Sequence, residues 1–105
     1  MNAKHWGVPK RQNYMWARQI SNSPSVYAIT KGKLICKAIP NTVNPNDTAE
    51  MLTSAFSTKD KFEFKYGKVE VRLRTSNVEG NFPAVWLLPA EQKGIPFRYG
   101  EIDIF

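Results

Sequence analysis

The strongest pattern in the chain is an alternation of apolar and charged positions over residues 62–74. Phe62, Phe64 and Tyr66 alternate with Glu63 and Lys65; after Gly67, Val69, Val71 and Leu73 alternate with Glu70, Arg72 and Arg74. A period of two sends one set to each face of a strand, which predicts a half-buried strand over 62–75. Residues 101–105, Glu-Ile-Asp-Ile-Phe, repeat the pattern. Residues 26–30 are β-branched and aromatic, Lys31-Gly32 supplies a turn and 34–39 resume, the text of a hairpin. Residues 40–47 pack two prolines and three asparagines into a loop. Residues 48–57 fit one helical turn or a strand, and the strand-like neighbours favour strand. Residues 79–81 read as a turn, 84–88 as a buried run and 90–99 as a loop. The first 24 residues are polar but carry Trp6, Tyr14 and Trp16, so they are expected to lie against something. No helix of ten residues is visible, and the reading is all-β.

Composition narrows the function classes. At 105 residues the chain has room for one small domain, and 42% hydrophobic with 12% aromatic residues excludes a disordered chain. The longest apolar run, 84–88, is far short of the roughly 20 residues of a membrane span. Residues 1–11 lack the apolar stretch of a signal peptide. A lone Cys36 excludes a disulfide framework and a cysteine zinc site, and reads as a small buried hydrophobe. His5 reads as solvated. The net charge of +6 raises nucleic acid as a partner. The densest basic stretch, 59–74, also holds Asp60, Glu63 and Glu70, as a solvated strand face does. A nucleic-acid binder would use Phe62, Phe64 and Tyr66 as stacking platforms, but that reading gives the closing motif no role. Residues 44–47 offer two or three oxygens, a poor calcium signal.

The strands number five or six, and each has one apolar face that needs a second layer. All-β sandwiches often take roughly 200–250 residues to close that layer. The sequence also stops inside a strand. Truncation is therefore expected, with exposed apolar surface and a tendency to aggregate.

Glu101 and Asp103 stand two apart in the last strand, so both leave the same face. Adjacent carboxylates repel unless solvated, metal-bound or used for chemistry. They read either as a solvated outer face or as a pair whose pKa values are pushed apart for acid–base work.

Three segments in order, FKYGKVEVRLR (64–74), GNFPAVWLLP (80–89) and YGEIDIF (99–105), resemble glycoside hydrolase family 16. That family includes β-1,3-glucanases (laminarinases), mixed-linkage β-glucanases and galactan-cleaving enzymes. The resemblance covers residues from about Trp16 to the end. It implies a β-jelly-roll sandwich, concanavalin A-like, of which 1–105 is a partial catalytic domain: a tail over 1–15, then strands over 16–105 leading into the catalytic strand. It implies an endo-acting retaining glycosidase that hydrolyses O-glycosyl bonds of a β-linked polysaccharide, a β-1,3- or mixed-linkage glucan above all.

By that resemblance Glu101 matches the nucleophile and Asp103 the carboxylate that tunes nucleophile and acid/base. Phe105 excludes the form of the signature with Glu four after the nucleophile. The other form carries a β-bulge and puts the acid/base at position 106, so these residues hold half of a catalytic pair and are expected to be inactive alone. Glu70 and Arg72 match a Glu-x-Arg that reaches sugar hydroxyls; a surface ion pair is the plain alternative. Trp86 matches an aromatic that lines the sugar sites, and core filling stays open for it. Tyr99, with Phe97, stands where the family usually carries a Trp beside the nucleophile, which makes Tyr99 a candidate substrate contact and leaves the substrate open. Phe82 replaces a more usual Trp. The resemblance implies no cofactor; some members hold a structural calcium, for which no motif shows here. It implies a polysaccharide partner, no nucleic acid, no membrane span, a monomer at full length, and an extracellular or periplasmic location. A carbohydrate-binding protein on the same fold, keeping Glu70, Arg72 and Trp86 without the chemistry, is the alternative.

Overall fold

A computed structural model of the protein describes residues 1–42, 46–90 and 100–105. The chain divides into two units, Met1–Glu63 and Phe64–Phe105. The described elements are short antiparallel strands, paired two by two, with two 3₁₀ turns. The all-β reading holds.

In the first unit β1 (Tyr27–Thr30) and β2 (Lys33–Cys36) form the expected hairpin, with Tyr27 opposite Cys36 and Thr30 opposite Lys33. Lys31 and Gly32 both take positive φ, 48° and 71°, as a two-residue turn matched to strand twist requires. The single strand expected over 34–39 is two. At Lys37 the chain changes partners: its N–H donates to the Val26 carbonyl at 2.8 Å, while its carbonyl accepts from Ser54 N–H at 3.3 Å. Beyond it β3 (Ala38–Pro40) pairs with β4 (Met51–Thr53), so the ambiguous 48–57 stretch is strand over its three central residues only.

The small core explains why the polar N-terminal residues are ordered. A 3₁₀ turn, Met15–Gln19, buries Ala17, and Ile20 follows it to bridge Thr53, whose carbonyl accepts from Ser21 N–H at 3.0 Å. A second, Pro24–Val26, starts with proline behind a Ser23 cap and buries Val26 completely. Ala17, Ile20, Val26, Ala49 and Leu52 are the buried hydrophobics among the described residues. Further out, Gly7 and Ser57 exchange both backbone hydrogen bonds at 2.9 Å, and the His5 ring lies 5.6 Å from Phe62. Cys36 is exposed rather than buried, because β2 has no covering layer among the described residues.

Asp47 ties this unit together. Arg11 donates to both of its carboxylate oxygens, at 2.6 and 2.8 Å; Asn41 Nδ2 donates at 2.9 Å and Ala49 N–H at 3.0 Å. The Arg11 hydrogen bonds first, and the Ala49 amide next, lower the carboxyl from 3.8 to about 2. A depressed acid contributes stability above its unfolded value that is lost as pH falls through the folded one. Asp47→Ala in the protein from the complete reading frame is therefore expected to melt below wild type at neutral pH. The gap should close as pH falls from about 4 towards 2, and melting curves across that range check it. A gap that stays constant contradicts the clamp.

In the second unit β5 (Trp86–Leu87) pairs with β6 (Ile102–Asp103). The strand expected over 62–75 is absent as a strand. Alternation assigns faces, but a strand exists only where a neighbour completes its ladder, and no described segment pairs with 64–78. Its apolar set stays uncovered, with Val69, Val71 and Leu73 at 39%, 42% and 41% exposure. The run 84–88 is only half-buried at Val85, Trp86 and Leu87. The turn before it is present, with Gly80 at φ 79° and the Asn81 side-chain amide donating to Ser76 Oγ at 2.9 Å. Among the described residues no helix is long and apolar enough to cross a membrane.

Candidate active site

The site grows from one pair of short strands. Trp86 lies opposite Asp103 and Leu87 opposite Ile102. Directly opposed residues point to the same side, so Trp86 shares a face with Asp103, and strand alternation adds Glu101 to it. Ile102 falls on the other face. Trp86 is half-buried, while Glu101 and Asp103 are exposed.

Beyond Asp103 the ladder changes phase. The N–H groups of Ile104 and Phe105 both donate to the Val85 carbonyl, at 2.8 and 3.1 Å, and Val85 N–H donates back to the Phe105 carbonyl at 3.0 Å. Two residues thus oppose one, which is a β-bulge. The extra residue offsets the alternation by one. Phe105 therefore leaves the face of Glu101 and Asp103. The bulge expected from the signature is present in the backbone. No feature of composition pointed to Val85 as the double acceptor that makes it.

The two carboxylates of this face are electrostatically coupled. The Glu101 carboxyl is raised, first by loss of solvent around it, then by the negative charge of Asp103 and by the hydrogen bond between the two side chains. A raised acid is a cost to the ionised folded state: its stabilising contribution is full below the unfolded value and lost as pH rises through the folded one. Two carboxylates on one strand face are thus kept at some expense of stability.

The other candidates are not brought to this face by any described pairing. Glu70 accepts from Lys68 Nζ at 2.8 Å, with both side chains more than three-quarters exposed, so the contact is weak in water. The simple Glu70–Arg72 ion pair is not formed, because Lys68 holds the carboxylate and Arg72 makes no hydrogen bond or ion pair among the described residues. Tyr99 and Phe97 lie outside the described residues. Of residues 44–47, Asn44 and Pro45 also lie outside them, and Asp47 is occupied by Arg11. Among the described residues no cluster of three or more His, Cys, Asp or Glu is placed to hold a metal ion.

The model of glycosyl hydrolases family 16 matches residues 12–104. The chain is 33% identical over 104 residues to glucan endo-1,3-β-glucosidase A1 of Niallia circulans, which covers 94% of this chain and 14% of that protein. It is 30% identical over 100 residues to keratan-sulfate endo-1,4-β-galactosidase of Sphingobacterium multivorum, covering 93% and 24%. It is 33% identical over 102 residues to a β-glucanase of Rhodothermus marinus, covering 94% and 33%. The chain therefore spans a third or less of the length of these relatives. No solved structure matches it significantly. With the match covering most of the chain and reaching Ile104 in the carboxylate strand, the chain belongs to glycosyl hydrolases family 16.

Proposed function

We propose that this chain is part of an endo-acting, retaining glycosidase for a β-linked polysaccharide, a β-1,3- or mixed-linkage glucan. The observation that carries the reading is one strand face bearing Glu101, Asp103 and Trp86, followed by a β-bulge at Ile104 and Phe105. Two of the three relatives above are named glucan endo-1,3-β-glucosidase and β-glucanase. In this reading Glu101 attacks the anomeric carbon and forms a glycosyl-enzyme intermediate. A second carboxyl, at the position following Phe105, protonates the leaving oxygen and then deprotonates water. Such a pair stands about 5–5.5 Å apart in retaining enzymes. Asp103 lies between them and adds its charge and hydrogen bond to the loss of solvent that first raises the Glu101 carboxyl.

Trp86 offers a ring for the C–H face of a sugar, and Glu70, Arg72 and Tyr99 are read as contacts to its hydroxyls. Both units are read as parts of one catalytic domain, exported and monomeric. Reducing-sugar release from laminarin and from mixed-linkage β-glucan, by protein from the complete reading frame, tests the reading. Binding without release would favour a glycan-binding protein instead.

The role of Asp103 has its own signature. Glu101 must be ionised to attack, so its raised carboxyl moves the acidic limb of kcat/KM to higher pH. Asp103→Asn removes the charge behind part of that rise. The acidic limb is expected to move to lower pH, with kcat reduced; an unmoved limb contradicts the coupling.

A further inference from the structure

The first unit holds a second polar feature that the hydrolase reading does not use. Beside the Asp47 clamp is an open cleft of about 280 Å³ lined by Arg11, Gln12, Asn13, Arg18, Asp47 and Thr48. Arg11 is fixed there: two of its five N–H donors are held by Asp47, which is itself held by Asn41 and Ala49. Three donors remain on a guanidinium that has already given up its freedom.

Arg18 stands in the last turn of Met15–Gln19, its backbone N–H donating to the Tyr14 carbonyl at 3.2 Å. The Arg18 guanidinium has no hydrogen bond or ion pair among the described residues, and neither do the side chains of Gln12, Asn13 and Thr48. Asp47 contributes a negative charge to the wall, but that charge is matched by Arg11 at 2.6 Å. Arg18 is left as the uncompensated cation, with two amides and a hydroxyl around it.

A held guanidinium beside a free one suits planar or tetrahedral oxyanions, which accept paired N–H bonds, better than neutral hydroxyls. The amides and the Thr48 hydroxyl suit the ring hydroxyls next to such a group. We propose that this cleft binds the sulfate or carboxylate group of an acidic polysaccharide. The chain's net charge of +6 draws such a polymer towards it. The binding is independent of the hydrolase chemistry, since no cleft residue belongs to the Glu101 strand.

The test is affinity electrophoresis of the full-length protein in gels containing dextran sulfate or neutral dextran, polymers with α-linked backbones that a β-glucanase does not consume. Wild type is expected to be retarded by dextran sulfate only. Arg18→Gln is expected to weaken that retardation about tenfold, the size of one charge-assisted contact. Lys33→Gln removes the same charge from β2, away from the cleft, and is expected to change it less than about twofold. Absence of retardation overturns the proposal. So does an equal loss in both variants, which would mean net charge alone. Release by free sulfate at equal anion concentration overturns it too, by assigning the cleft to a small anion.

Discussion

Glu101→Gln, in protein from the complete reading frame, is expected to lower kcat on β-glucan by roughly 10⁴–10⁶-fold, the scale seen when a covalent nucleophile is removed. The amide keeps the size of the side chain and cannot form the glycosyl ester. Because the ionised Glu101 is a cost to the fold, the variant should melt no lower than wild type at neutral pH. Binding of the polysaccharide should survive. Together these outcomes separate lost chemistry from lost structure. Hydrolysis within about tenfold of wild type would remove Glu101 from the mechanism.

The second large effect is expected at Trp86. Its place opposite Asp103 puts it on the carboxylate face, and its half-burial leaves ring surface for a ligand. Trp86→Ala is expected to lower kcat/KM by about 30-fold or more, the scale of an aromatic hot spot in a binding site. Most of that should lie in KM, while Trp86→Phe recovers the greater part because a flat apolar ring remains. If Trp86 only fills the core, both variants will lose melting temperature and KM will stay put. Initial rates over a range of glucan concentrations, alongside melting curves, distinguish the two.

How much of this was legible in the sequence varies with the physical cause. The β1–β2 hairpin was, because its turn and its β-branched flanks are local signals. The Glu101–Asp103 face was, because period two is a property of the strand alone. The switch at Lys37 was not: it depends on which carbonyl, Val26, lies within reach of one N–H, and periodicity carries no such information. The 62–75 stretch shows the converse. Its alternation is the strongest in the chain, yet alternation only sorts side chains, and pairing needs a partner strand that no described segment provides. Cys36 was read as buried on residue type, whereas burial of β2 requires a cover outside its own text. The bulge came from the spacing of a family motif; its acceptor, Val85, became visible only in the backbone hydrogen bonds. The Arg11–Asp47 pair spans 36 positions, and nothing in the spacing of charges singles it out.

Retaining hydrolysis through Glu101 leaves its mark on the anomer released. Its most direct test is proton NMR of the anomeric signal of the first product released from laminarin by the full-length protein. Retention gives the β-anomer first, with the α-anomer growing in only by mutarotation. An α-anomer formed first, or no product at all, would contradict it.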